Sequence, residues 1–464
     1  MRVRLRGAGP LLRPFFAILI TCGLLAWFCS RDEEARRAML RVRDTASLVR
    51  EAPTLLWPPW RALRLYVSID DDVSLYYELS RVVLGEAADA EQMLRFDHRP
   101  DPAEVAALRA RLAQARGRRW PTGLQLGFPP LSVLLMVLPR LAVDTLGAYR
   151  VAFAVLLALL YLGAWGVAVA GAAGLPRRVL LGRMALVTAC MGPVLVARLD
   201  VLPALLVVAA LGALARGWAL AAGLLLVLGG AAKLYPLFLL PVWAALLWGW
   251  GGAARRQAVA LLGGPALLGG LGLLLGGLPA LGEHLRLFAR RPVQIESVVG
   301  AVLHAAGWPS DYGFGSNNLL LPPWVPMALD GLLGGAVLAL AAGAGRWAAR
   351  HRDGAARRQA LTWFAVATVL VVITTSKVLS PQYLVWLVPP AAMLPGRAGR
   401  LVLLGVCAAM LLTQVYVPFM YSWLMERRWP LLLLVLVRNG LLVGLAAGVL
   451  GVLVRSGRRD EALA

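Results

Sequence analysis

Lysine is nearly absent from this chain. Of its 47 basic residues only Lys233 and Lys377 are lysine, and the rest are arginine. A sequence with this bias, of the kind a GC-rich coding background produces, is expected to keep lysine where a compact ammonium serves and a planar guanidinium does not. Cysteine is scarce too. Cys22, Cys29, Cys190 and Cys407 all lie within apolar runs and show neither metal-ligand nor disulfide spacing, so they read as packing residues. Charge is limited to 16% of residues against 59% hydrophobic, with a mean hydropathy of +0.71, which excludes a soluble domain. No internal repeat is evident, and that counts against the repeated halves common in transporters.

Apolar stretches near the ~20 residues needed to cross a bilayer recur along the chain. They predict an all-α polytopic membrane protein forming a single integral membrane domain, residues 1–464. A net charge of +22 would suggest nucleic acid in a soluble chain. Here the arginines gather in short clusters between apolar runs, where they orient helices, so no nucleic-acid partner is expected.

The apolar run 11–29 follows Met-Arg-Val-Arg-Leu-Arg and lacks a small-residue cleavage site, which predicts an uncleaved first transmembrane helix. With the amino terminus in the cytoplasm, residues 30–147 form the first extracytoplasmic loop. Within it Asp101, Pro102 and Glu104 have the order of an N-cap, a first-turn proline and a capping-box acid, which predicts a helix over 102–116. The stretch Phe128 to Leu141 is apolar but short and broken by Pro129, Pro130 and Pro139, and reads as a re-entrant or interfacial helix. Spans then follow near 148–173, 184–197, 201–215, 218–232, 234–250, 257–281, 323–345, 359–375, 381–395, 401–421 and 430–453. With the first they make about 12 crossings. Arg177, Arg178 and Arg183, Arg255 and Arg256, the cluster from Arg346 to Arg358, Arg397 and Arg400, and the 454–464 tail all fall on the cytoplasmic side, as the positive-inside rule requires.

The charged or polar strings that are not arginine clusters all land on the outer face: Asp70-Asp71-Asp72, Arg198-Leu199-Asp200, Lys233, Arg290 to Ser297, and Ser376 to Tyr383. One outer site is implied. Three adjacent carboxylates repel one another, which favours a general base, although acids are also favoured at a helix start. Arg198, Lys233, Arg290, Arg291 and Lys377 on the same face would attract a phosphate, arginine by a bidentate fork and lysine as a point charge. At a membrane surface such a phosphate belongs to a lipid. A base beside a phosphate-binding cluster suits transfer of a group from a lipid phosphate to a hydroxyl. Asp70 to Asp72 could hold a divalent ion, but no His, Cys and acid set has metal-ligand spacing and no cofactor is expected. His304 is expected to be a packed histidine.

These residues carry a resemblance. Asp72-Val-Ser-Leu-Tyr76-Tyr77, Phe128-Pro-Pro-Leu, Arg198-Leu-Asp200-Val-Leu-Pro, Lys233-Leu-Tyr-Pro236, Arg291-Pro-Val-Gln-Ile-Glu296-Ser297 and Ser-Lys377-Val-Leu-Ser380-Pro-Gln382-Tyr383-Leu-Val-Trp occur in the order seen in a bacterial multispan family. The chain resembles glycosyltransferase family 87 of the GT-C superfamily over roughly residues 66 to 425. The resemblance implies a GT-C fold with a large first extracytoplasmic loop carrying juxtamembrane helices, in a bacterial inner membrane. It implies a polyprenyl-phosphate sugar donor, often of mannose, and an inverting displacement. The catalytic aspartate aligns with Asp72, with Asp70 and Asp71 as alternatives. Arg291 and Lys377 are expected to hold the departing phosphate, and Arg198, Asp200, Lys233, Glu296, Gln382 and Tyr383 to line the substrate site. The acceptor, a glycan, lipid or protein, is left open. A transporter or flippase of a lipid-linked substrate is the alternative reading.

Overall fold

A computed structural model describes residues 71–94, 102–115, 128–171, 175–192, 194–274, 282, 285–286, 288–314, 316–351, 354–417 and 421–457. The run 11–29, Asp70 and the last residues of the 454–464 tail lie outside the described residues. The described chain is helical apart from one two-stranded hairpin. Four helices are long and apolar enough to cross a membrane: Leu146–Val169, Trp324–Arg350, Gly396–Tyr416 and Trp429–Ser456. Shorter apolar helices occupy Pro130–Arg140, Val201–Ala215, Ala219–Ala232, Tyr235–Gly249 and Gln359–Thr375. A helical membrane protein is therefore what the sequence builds.

Several boundaries differ from the sequence expectation for identifiable reasons. The span expected at 184–197 is instead the helix Arg177–Met191, ended by Gly192 at φ 51°, followed by the four-residue helix Val194–Ala197. Its early start carries Arg177, Arg178 and Arg183 into the helix. Arg183 is buried and donates to the carbonyls of Ala392, at 3.1 Å, and Leu394, filling acceptors that a short helix end leaves open. The span expected at 381–395 is broken into a 3-10 turn, Pro381–Trp386, and the five-residue helix Val388–Ala392. Pro381, Pro389 and Pro390 remove backbone donors, so one continuous helix does not form. The loop expected at 282–322 contains the helix Val298–Ala305 and the hairpin of β1, Ser310–Gly313, and β2, Ser316–Leu319, which corrects the all-α expectation locally. Four-residue strands this polar leave little hydrophobic alternation to detect.

The chain divides into two compact units. Of the described residues, the smaller comprises 71–94, 102–115, 135–159 and 194–198. In it the helix Asp71–Val83 buries Val73, Tyr76, Tyr77 and Leu79. Tyr76 meets Phe153 with ring centroids 5.4 Å apart, and Tyr77 meets Tyr149 edge-on at 5.3 Å. The Tyr77 hydroxyl donates to the Asp144 carbonyl at 2.6 Å, and Arg140 pairs with Glu86 at 2.7 Å and with Asp144. The helix Pro102–Ala115 matches the expected 102–116.

The larger unit comprises the described residues within 128–134, 160–192 and 199–457. Its helices approach closely through small residues, as in lipid, where tight packing replaces the hydrophobic drive. A methyl group on Gly223 would overlap the Leu261 carbonyl, so the helices Ala219–Ala232 and Gly252–Leu274 run nearly backbone to backbone. Helix Leu239–Gly249 packs likewise on Trp324–Arg350.

Candidate functional site

In the smaller unit, Asp72 lies in the first turn of the helix Asp71–Val83, half-buried, and forms an ion pair with the Arg198 guanidinium. Asp72 sits inside the described helix. An acid in a first turn is favoured by the helix dipole, and this one also has a fork-shaped donor. The side chain of Asp71 and all of Asp70 lie outside the description.

In the larger unit, Asp200 precedes the helix Val201–Ala215 and is only 2% exposed. Its Oδ1 accepts the Trp386 indole N–H at 2.7 Å and lies 3.3 Å from the Lys233 ammonium. Lys233 adopts an extended backbone that ends the helix Ala219–Ala232, at the negative end of the helix dipole. Its ammonium stands 5.0 Å from the Tyr383 ring centroid and 5.9 Å from that of Trp386. Trp386 is itself sandwiched, stacked on Tyr235 at 4.1 Å and on Tyr383 at 4.0 Å. The stack is buried, whereas the Lys233 side chain keeps 29% of its surface exposed. The result is a fixed cation with one open side.

The strings 291–297 and 376–383 come together through Gln294. Its backbone N–H donates to the Lys377 carbonyl at 2.9 Å, and its Oε1 accepts from the Leu379 N–H at 3.1 Å and the Ser380 hydroxyl at 3.4 Å. Its Nε2 donates to Glu296 Oε2 at 2.6 Å. The buried Glu296 carboxylate also accepts from Tyr416 at 2.8 Å and Tyr421 at 3.2 Å, while its carbonyl accepts from Arg438 at 2.8 Å and Asn439 at 3.2 Å. Ser297 caps the helix Val298–Ala305 by accepting from the Gly300 N–H at 3.0 Å. A Cβ at Gly300 would overlap the Gln294 carbonyl.

Lys377 is buried and its ammonium donates to Asp330 Oδ2 at 2.6 Å and the Ala289 carbonyl at 3.1 Å, which uses two of its three hydrogens. Arg291 is half-buried and reaches the Phe314 carbonyl at 3.4 Å. Gln382 is half-buried on the same 3-10 turn as Tyr383. Of the expected site residues, the larger unit thus links Asp200, Lys233 and Tyr383 through Trp386, and Glu296 to the Lys377–Ser380 segment through Gln294. Asp72 and Arg198 pair with each other in the smaller unit.

Sequence reasoning passed over Gln294, Asp330, Trp386, Tyr235, Tyr416, Arg438 and Asn439. A compositional signal was present: the chain has three asparagines, Asn317, Asn318 and Asn439, and all three are buried against the 293–297 segment. His304 is buried as expected, with Nε2 2.9 Å from the Leu424 carbonyl, and burial pushes its pKa below the ordinary histidine value. Among the described residues no three His, Cys, Asp or Glu side chains gather as a metal site. Compared with models of protein families, with curated proteins and with solved structures, the chain matches none.

Proposed function

We propose that this chain is a membrane glycosyltransferase that transfers a sugar, mannose first among the candidates, from a polyprenyl phosphate to a hydroxyl acceptor on the extracytoplasmic side of a bacterial inner membrane. The observation that carries the reading is the bonding of separate strings into two polar clusters in the larger unit. Lys233, Asp200 and Trp386 form one, and Gln294, Glu296 and the Lys377–Ser380 segment the other. A membrane interior tolerates such groups at a cost, and they are retained where chemistry needs them. Exposed tryptophans at helix ends support the sidedness. Trp324 and Trp429 stand at the starts assigned to the outer face, Trp218 and Trp248 at ends assigned to the inner one, as two interfacial belts would.

In this reading Asp72 accepts the proton of the acceptor hydroxyl as its oxygen attacks the anomeric carbon. The bond from that carbon to the phosphate oxygen breaks with inversion, and polyprenyl phosphate leaves with the electron pair. Arg198 holds the Asp72 carboxylate in place. As the shared outer face of these strings in the sequence implies, Lys233 and Arg291 are proposed to stabilise charge developing on the leaving phosphate. Lys377 is engaged by Asp330 and the Ala289 carbonyl, and its part is to fix the 289–294 segment.

Purified protein in vesicles, given radiolabelled polyprenyl-phosphate mannose and extracted envelope lipids and glycans, is expected to form a labelled glycoside, and Asp72→Asn to form none. Undiminished transfer by Asp72→Asn removes the base from the scheme. Movement of the lipid across the bilayer with no new glycosidic bond would replace the enzyme by a flippase.

A further inference from the structure

The hairpin carries a feature that catalysis does not use. Phe314, at its tip between β1 and β2, adopts φ 57°, a left-handed backbone that favours glycine or asparagine, and its side chain is 52% exposed. A large apolar ring in that conformation is strained, and the protein leaves about half of its surface uncovered. Nearby in sequence, Trp308, Leu320, Trp324 and Met327 are exposed as well. Trp324 opens a helix long and apolar enough to cross a membrane, five residues after β2 ends, at most about 18 Å of extended chain. The hairpin therefore lies near the surface where that helix enters the bilayer.

Positive charge accompanies the aromatics. Arg427, also left-handed at φ 58°, donates to the Trp308 carbonyl, and Arg428, paired with Glu426 at 2.9 Å, stands 5.1 Å over the Trp423 ring just before Trp429 opens another candidate span. Aromatic rings flanked by arginine are the composition that favours a head-group layer with anionic lipids. The opposite side of the hairpin is committed to the protein. All four residues of β2 are buried, Leu319 N–H donates to the Val293 carbonyl at 2.8 Å, and Ile295 N–H donates to the Asn317 carbonyl at 3.1 Å.

We propose that the β1–β2 hairpin is a membrane-interface anchor: Phe314 and Trp308 enter the outer head-group layer, and β2 passes that fixed position to the 293–297 segment and hence to Gln294 and Glu296. The occupant of this face is lipid, and the proposal does not depend on the reaction catalysed.

Single cysteines at Phe314 and at the exposed Asp311, in a background with Cys22, Cys29, Cys190 and Cys407 replaced by alanine, can carry an environment-sensitive fluorophore in vesicles of phosphatidylglycerol and phosphatidylethanolamine. The label at 314 is expected to be several-fold less quenched by aqueous iodide than the label at 311, and more strongly quenched by lipids with a nitroxide near the head group. Equal iodide access at both positions overturns the proposal. So does shielding from iodide without quenching by the lipid nitroxide, which would mean that protein covers the ring. Should the replaced background fail to fold, the unaltered protein can be irradiated in vesicles holding a lipid with a diazirine near its head group. Adducts at Phe314 and Trp308 support the anchor, and adducts confined to the spans refute it.

Discussion

Replacing Asp330 by asparagine tests how the larger unit tolerates a buried ammonium. The Lys377 side chain is fully buried, and its charge is met by Asp330 at 2.6 Å. At an effective dielectric constant near 20 the attraction at that distance is about 6 kcal/mol, most of which offsets the desolvation of the ammonium. Removing one partner of a buried pair costs about 3–5 kcal/mol, because the other charge stays behind. Asp330 retains 30% exposure, which screens the pair and puts the expected loss for Asp330→Asn at about 3 kcal/mol. The reverse change should be milder. Lys377→Met leaves a carboxylate that hydrates through its exposed part, and methionine fills the apolar path beside Phe288, so about 1 kcal/mol is expected. The difference of about 2 kcal/mol is up to a 30-fold change in the folded to unfolded ratio. The double variant should resemble Lys377→Met alone, since no buried charge remains to be abandoned. Reversible unfolding in mixed detergent micelles, followed by circular dichroism, measures all three. If Asp330→Asn costs no more than Lys377→Met, the burial asymmetry does not govern this pair and the reasoning fails.

Gly300→Ala forces a methyl group against the Gln294 carbonyl and is expected to cost about 1–3 kcal/mol, read as a lower midpoint in the same unfolding assay, whereas Gly331→Ala, which meets open space, should be near neutral. Trp386→Phe keeps an aromatic ring between Tyr235 and Tyr383 but takes the indole donor from buried Asp200. A loss of about 1–3 kcal/mol is expected, smaller in an Asp200→Asn background, and a double-mutant cycle gives the coupling. Burial lowers the proton affinity of His304, so below the ordinary histidine value of 6.5 the unfolded chain binds a proton that the folded chain refuses. Its stabilising contribution is complete above that pH and declines as the pH falls through and below it. His304→Gln should therefore flatten the loss of stability measured between neutral pH and pH 5.

How much was legible in the sequence depended on how local the cause was. The helix Pro102–Ala115 was readable from Asp101, Pro102 and Glu104 because capping acts within one turn. The candidate spans Leu146–Val169, Trp324–Arg350, Gly396–Tyr416 and Trp429–Ser456 were readable because apolar length is additive along the chain. The 381–395 segment was misjudged as a single span because hydropathy records its apolar content and ignores the donors that Pro381, Pro389 and Pro390 lack. The hairpin escaped notice because its register, Ser310 opposite Leu319 and Asp311 opposite Asn318, is supported by a docking surface distant in sequence.

Arginine bias and apolar runs by themselves determined that this is a helical membrane protein, that two lysines stand out, and that polar strings punctuate the spans. Tertiary structure alone decided what each lysine does. Both follow helix ends, yet Lys233 rests on a buried carboxylate and an aromatic stack with part of its surface open, while Lys377 is enclosed and neutralised by Asp330. Sequence spacing cannot make that distinction, because exposure and counter-charge come from residues dozens to about 150 positions away: Asp200 and Trp386 for Lys233, Ala289 and Asp330 for Lys377. A charge takes its chemical character from the groups that surround it, and only folding brings those groups together.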